Sequence, residues 1–100
     1  MSENFNERCY RLLKKVPKGR VTTYRDIAHK LGSKAYRAVG NAMNRNPYAP
    51  EVPCHRVVAS DGTLCGFAHG LRAKAKLLRE EGVDIRQGRV IDFDKVRFRF

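Results

Sequence analysis

The chain is short of the features that staple a small domain from outside its core. Its 100 residues contain three cysteines, Cys9, Cys54 and Cys65. The number is odd and no C-x-x-C spacing occurs, which argues against a disulfide framework and against a zinc knuckle. His29, His55 and His69 share no metal-ligand spacing with them. No apolar run approaches the about 18 residues that a membrane helix needs. The N-terminus lacks a charged-then-apolar signal, so a reducing, cytoplasmic setting is expected. No internal repeat, low-complexity tract or linker interrupts the chain, and residues 1–100 are read as one domain with one modest core. Acids are also scarce. Ten Asp and Glu stand against 21 Lys and Arg, for a net charge of +11. On so short a chain that excess points to a polyanionic partner, most often nucleic acid.

What is present reads first as helix. Phe5, Cys9, Leu12, Leu13 and Val16 fall at helical spacing, with charged residues between them, and Pro17 ends the run. Cys9 lies on the apolar stripe and is expected in the core. Val21-Thr22 suits a brief strand. Thr23 followed by Asp26 has the form of a capping box, opening a second helix through Ile27, Ala28 and Leu31 that stops at Gly32. Ser33 can cap a third helix. It carries Ala35, Ala38, Val39, Ala42 and Met43 on one side, and Lys34, Arg37, Asn41, Asn44 and Arg45 on the other. Two short helices around a glycine turn form a helix-turn-helix pattern. Small residues beside basic and amide side chains suit a helix that approaches DNA closely. An ordinary amphipathic helix with a solvated face fits the same pattern.

The following segment holds the chemistry. Three prolines stiffen residues 47–53, and Cys54 lies between Pro53 and His55, with Arg56 next. A thiol reacts as thiolate, and neighbouring cations favour that form. The same cysteine also fits a small buried apolar role. Arg56–Ala59 and Thr63–Phe67 read as a hairpin around Ser60-Asp61-Gly62, the wing of a winged helix-turn-helix. The class is therefore mainly α with a small β hairpin. Leu71, Ala75, Leu77 and Leu78 mark a fourth helix, with Arg72, Lys74, Lys76 and Arg79 outside. Glu80 and Glu81 sit in its last turn, where acids oppose the helix dipole. Val96–Phe100 alternates strictly, which predicts a terminal strand with its arginines facing out.

Arg37-Ala38-Val39-Gly40, then Asn46-Pro47, then Pro53-Cys54-His55-Arg56-Val57 resembles the C-terminal domain of the O6-alkylguanine-DNA alkyltransferases. This family is also called the methylated-DNA–protein-cysteine methyltransferases. The resemblance runs from about Val16 to Val83. It implies direct-reversal DNA repair, in which an alkyl group leaves O6 of a flipped guanine and stays on the protein's own cysteine. It implies that Cys54 is the acceptor, in a relay with His55, a water and Glu81. Tyr24 matches the tyrosine that assists the leaving guanine. Arg37 matches the arginine that fills the vacated stack, and Asn46 matches the hinge asparagine. Thr23, Lys34, Ala38, Asn41, Arg45, Arg56 and Arg72 are expected at the DNA surface, and Val57, Phe67, Ala68 and His69 at the pocket. The implied partner is double-stranded DNA carrying O6-alkylguanine. No metal, cofactor or membrane is expected, and the protein is taken as a nucleoid-associated monomer.

The chain departs from the family in four places. The usual N-terminal domain has no counterpart ahead of the first helix, so a minimal, standalone version is expected. Phe67 stands where a tyrosine is common, His69 where a glycine is common, and Cys65 is unusual near that loop. Two other readings stay open. Alkyltransferase-like proteins bind damaged guanine but commonly carry tryptophan in place of the cysteine, whereas this chain has no Trp and keeps Cys54. An ordinary winged-helix regulator would use Cys54 only structurally.

Overall fold

Asn4 starts the first helix by accepting the Glu7 backbone N–H on its side chain at 2.8 Å. Such a cap satisfies one of the orphan donors of the first turn. The computed structural model describes residues 4–49, 51–67 and 70–100. Helix α1 (Phe5–Leu13) is followed by strand β1 (Thr22–Thr23) and helices α2 (Tyr24–Lys30) and α3 (Tyr36–Asn44). A 3-10 turn (Cys54–Arg56) leads into strand β2 (Val57–Val58). Helix α4 (Leu71–Glu80), strands β3 (Ile85–Arg86) and β4 (Arg89–Val90), and helix α5 (Phe93–Val96) complete the chain.

The expected class holds: the chain is mostly helical, with a helix-turn-helix and little sheet. Cys9, Leu12 and Leu13 of α1 pack on Ile27 and Ala28 of α2 and on Val39, Ala42 and Met43 of α3. A second cluster joins Val21, Val58, Leu64, Leu78, Val83, Ile85 and Val90. The expected capping box is present as its N-terminal half, with Thr23 Oγ1 accepting from Asp26 N–H at 2.9 Å. Gly32 turns the chain at φ +72°, a left-handed position that favours glycine. Ser33 accepts from Ala35 N–H and so orders the turn. Helix α3 itself begins at Tyr36 behind Ala35, which makes no side-chain cap.

The expected wing is misplaced in sequence. Val57–Val58 pairs in parallel with β1, Thr22 opposite Val57 and Thr23 opposite Val58. Both valines are fully buried, as a parallel strand covered on both faces requires. A wing strand with one wet face would not bury both. Residues 59–63 form a tight turn, closed by the Gly62 N–H to Ala59 carbonyl and Ala59 N–H to Thr63 carbonyl bonds, and Thr63 then bridges antiparallel to Arg89 and not to Val57–Val58. The hairpin is β3–β4, antiparallel, with Ile85 opposite Val90. Gln87 and Gly88 between them both have positive φ, as a type I′ turn demands.

Three further expectations fail. Lys74, expected on the outer face of α4, is 0% exposed, and Leu71 is 50% exposed instead. The terminal segment opens with α5 and continues as an extended tail with one isolated bridge, Arg97 to Val21, in place of a strand. Phe98 and Phe100 face the core and Arg99 is exposed, as expected, but Arg97 is not outward. Arg97 turns inward because Asp26 offers it a bidentate partner, at 2.8 Å from Nε and 2.6 Å from Nη2. Such a pair compensates much of the cost of removing a guanidinium from water. Among the described residues, no helix is long and apolar enough to cross a membrane.

Candidate active site

Pro53 is buried and extended enough (φ −82°, ψ 72°) to lead Cys54 into the 3-10 turn. The Cys54 N–H donates to the Val52 carbonyl, and the Arg56 N–H to the Pro53 carbonyl, both at 2.9 Å. The turn fixes the nucleophile candidate by its backbone and leaves its thiol partly exposed at the rim of the helical core. Cys54 and His55 are therefore residues of a tight turn, not neighbours on a strand, and no side-chain hydrogen bond joins them.

His55 is buried, and its Nε2 lies 3.1 Å from Glu81 Oε2. Arg56 donates from Nε to Glu81 Oε1 at 2.9 Å and from Nη2 to Oε2 at 2.6 Å. Its Nη1 donates to the Val16 carbonyl at 2.9 Å. Burial opposes charge on Glu81, but the Arg56 guanidinium and the His55 ring hold its carboxyl below the usual carboxylate range. Burial lowers the pKa of His55, against the pull of Glu81, so the ring favours its neutral form. An ionised Glu81 only accepts. Nε2 of neutral His55 therefore carries the proton, and Nδ1 is left as an acceptor. The acid at the C-terminal end of α4 is accounted for, since Arg56 compensates the repulsion of the helix end.

Arg56, expected at the DNA surface, is thus a correction. All three of its nitrogens are spent inside the protein, because Glu81 and the Val16 carbonyl supply the partners that a buried guanidinium needs. Thr23 is a second correction. It is 0% exposed, since its hydroxyl caps α2 and its backbone belongs to β1. Lys34, Arg37, Asn41 and Arg45 are exposed along α3 and the turn before it, Ala38 is half-buried, and Arg72 is exposed on α4. Asn46 closes the loop after α3: its Nδ2 donates to the Val52 carbonyl at 2.8 Å, and its Oδ1 accepts from Tyr48 N–H at 2.9 Å.

The Tyr24 hydroxyl donates to the Cys65 carbonyl at 3.1 Å. Burial, with Cys65 alongside, pushes its phenol well above the ordinary range. Sequence reasoning missed the residue that shares this acceptor. Lys74 Nζ donates to the carbonyls of Cys65 at 2.7 Å and of Val57 at 2.5 Å, with Gly66 further off at 3.4 Å. One ammonium therefore ties the strand after the nucleophile turn to the loop opposite. Burial lowers its pKa from 10.5 to about 8. The signal was available, since Lys74 stands three residues after Leu71 and four before Leu78, on the apolar stripe. Val57 is buried beneath this clamp, Cys65 is partly exposed, and Phe67 is half-buried. Ala68 and His69, expected in the pocket, lie outside the described residues. Among the described residues no group of three or more His, Cys, Asp or Glu could hold a metal ion.

The family model described as "6-O-methylguanine DNA methyltransferase, DNA binding domain" matches residues 4–83. A methylated-DNA–protein-cysteine methyltransferase of Methanosarcina barkeri is 46% identical over 84 residues, 83% of this chain and 53% of that protein. A bifunctional methyltransferase/endonuclease of Picrophilus torridus is 44% identical over 92 residues, 91% of this chain and 30% of that protein. The chain thus spans about half, or less, of these curated relatives. Among solved structures, Schizosaccharomyces pombe Atl1 in complex with DNA containing O6-carboxymethylguanine superposes with a TM-score of 0.84 at 30% identity, covering all of both chains. Mycobacterium tuberculosis OGT in complex with DNA gives 0.76 at 39% identity, covering 81% of this chain and 51% of that one.

Proposed function

The chain belongs to the 6-O-methylguanine DNA methyltransferase family through its DNA-binding domain, and on that premise we propose that it repairs O6-alkylguanine in duplex DNA by taking the alkyl group onto Cys54. The observation that carries this reading is the 3.1 Å contact between Glu81 and His55, 26 residues apart in sequence, with His55 next to Cys54 in the same turn. The domain corresponds, on this reading, to the active-site half of the longer relatives.

An O6-alkyl group lies within the base stack, so the nucleotide must be extruded before a protein thiol can reach it. Extrusion costs a few kcal/mol, less for a damaged base. The exposed cations of α3 offset that cost through phosphate contacts, and Arg37 takes the space the base leaves. The neutral His55 ring accepts the thiol proton at Nδ1 through a water, while Glu81 accepts from Nε2–H and stabilises the cation that forms. The Cys54 thiolate attacks the alkyl carbon. A C–S bond forms as the C–O6 bond breaks, and the electron pair leaves on guanine. The Tyr24 hydroxyl, resting on the Cys65 carbonyl, exchanges that acceptor for the departing base and donates to it as charge develops. The product is a thioether with no hydrolysable bond, so each molecule acts once.

The test is intact-protein mass after mixing with a duplex containing O6-methylguanine, followed by peptide mapping. The expected result is the gain of one methylene on Cys54, absent in Cys54→Ser. Tight binding without a mass gain would leave a damage recogniser of the Atl1 kind. Neither binding nor transfer would favour a winged-helix regulator.

A further inference from the structure

The C-terminal tail lies beyond the residues that the family model matches, which end at 83, yet it is built into the helix-turn-helix. Val21 N–H donates to the Val96 carbonyl at 3.0 Å, and Phe98 N–H donates back to the Val21 carbonyl at 2.7 Å. Arg97 grips Asp26 of α2 through two bonds. The Phe98 and Phe100 rings meet edge to face at 5.3 Å and pack against the helical core. These contacts fix the backbone on both sides of Arg99. Arg99 shares one open cleft with His29 and Lys30, from the last turn of α2, and with Asp26. Arg97 bonds the Asp26 carboxylate and Arg99 also acts on it from nearby, while Lys30 and Arg99 are the exposed cations of the cleft. His29 also reaches Tyr36, the first residue of α3, at 3.2 Å, so the cleft is continuous with the start of the second helix.

In helix-turn-helix docking the second helix enters a groove and the first crosses the phosphate backbone. A cationic cleft at the end of the first helix is suited in charge to that backbone. We propose that Lys30 and Arg99 form a second phosphate-contacting cluster, with which the tail extends the DNA surface of α3 along the neighbouring backbone. The inference rests on the DNA-binding reading above. It adds two residues that were not expected at the interface, Lys30 of α2 and Arg99 of the tail.

The experiment measures duplex affinity by fluorescence anisotropy from roughly 50 to 200 mM salt, where each lost phosphate contact lowers the slope of log affinity against log salt by about 0.9. Arg99→Ala is expected to lower the slope by about 1, and Lys30→Ala with Arg99→Ala by about 2. Arg99→Lys should keep the wild-type slope. Arg86→Ala with Arg89→Ala removes the same charge from the exposed β3–β4 hairpin and should leave the slope unchanged. Thermal midpoints should stay level, because all four side chains are exposed. If wild type shows no salt-dependent binding, the DNA reading itself falls. If wild type binds steeply and the Lys30/Arg99 double variant keeps its slope, this inference alone falls. Equal losses from the two double variants would also overturn it, since they would report net charge and not a contact.

Discussion

His55 Nε2 lies 3.1 Å from Glu81 Oε2, and that same oxygen takes a 2.6 Å hydrogen bond from the next residue, Arg56. Two consecutive residues of one tight turn thus converge on one carboxylate at the end of α4. The turn is locked to the helix end through side chains alone, and the residue ahead of the pair is the cysteine. Arg56 holds the carboxylate ionised and in place, and the ionised carboxylate decides which nitrogen of His55 carries the proton.

Glu81→Gln should therefore separate chemistry from binding. The amide cannot stabilise an imidazolium, and single-turnover transfer should fall by roughly 10²–10⁴, the usual worth of a positioned acid–base pair. Affinity for the same duplex should stay within about twofold, since Glu81 faces inward. Quench-flow transfer and equilibrium binding check both halves. A variant that transfers at the wild-type rate would remove Glu81 from the relay.

Arg56→Ala should act on stability and not on the DNA surface. It strips the Glu81 carboxylate and the Val16 carbonyl of their donors, and the expected loss is about 2–3 kcal/mol. Urea unfolding reads this directly. The salt slope of DNA binding should remain that of wild type, and a slope reduced by about 1 would show that Arg56 meets phosphate after all.

Lys74→Met should cost about 1–3 kcal/mol at neutral pH, because the carbonyls of Val57 and Cys65 lose a buried donor. The pH dependence is more diagnostic. With its pKa lowered from 10.5 to about 8 in the folded chain, Lys74 binds more protons unfolded than folded across that interval. Its contribution therefore makes stability rise with pH from about 8 to 10.5. Burial raises the Cys9 thiol from 9.0 to about 11, which works the other way and masks the trend in wild type. Subtracting the stability profile of Lys74→Met from that of wild type removes the shared Cys9 contribution. A flat difference from pH 8 upward would contradict the burial of the ammonium.

On the acid side three buried or half-buried groups act with one sign, and the exposed Asp61, lowered by its bond from Thr63, adds to them. Burial lowers His55 below 6.5, while Arg97 holds Asp26, and Arg56 with His55 holds Glu81, below their ordinary 3.8 and 4.5 against burial. In each case the unfolded chain takes up protons first as pH falls. Stability should decline from about pH 6.5 downward, first through His55 and then through the two carboxylates. Asp26→Asn should flatten only the lower part of the curve. Chemical denaturation at closely spaced pH values resolves the two steps, and a profile level down to pH 4.5 would count against the His55 assignment.

The features legible in the sequence were those whose cause is local. Thr23 caps Asp26 three residues on, the stripe of Val39, Ala42 and Met43 faces one side of one helix, and Pro53 stiffens the approach to Cys54. The features that were not legible depend on partners far along the chain. Nothing near Arg56 announces that Glu81 will claim it, so its charge reads as surface. Val57–Val58 looks like any β-prone pair, and only burial on both faces makes it a parallel partner of Thr22–Thr23. Arg97 alternates with phenylalanines as an outward residue would, and Asp26 reverses it. Two misses were avoidable. Lys74 lies on the apolar stripe of α4, and Ile85 to Val90 alternates around Gln87-Gly88, a stronger hairpin signal than Ser60-Asp61-Gly62.

The bonds that assemble the site span long stretches of chain: 26 residues from His55 to Glu81, 40 from Val16 to Arg56 and 41 from Tyr24 to Cys65. Closing such loops costs entropy before any contact repays it. Helices α2 and α3, by contrast, pack on each other across the short turn at Gly32. A chain emerging from the ribosome can therefore own its helix pair, and the cations on it, before it owns a working thiol. Glu81 and Lys74 must both be released before Cys54 acquires its surroundings, so the cationic helix pair is complete before the site that it would serve.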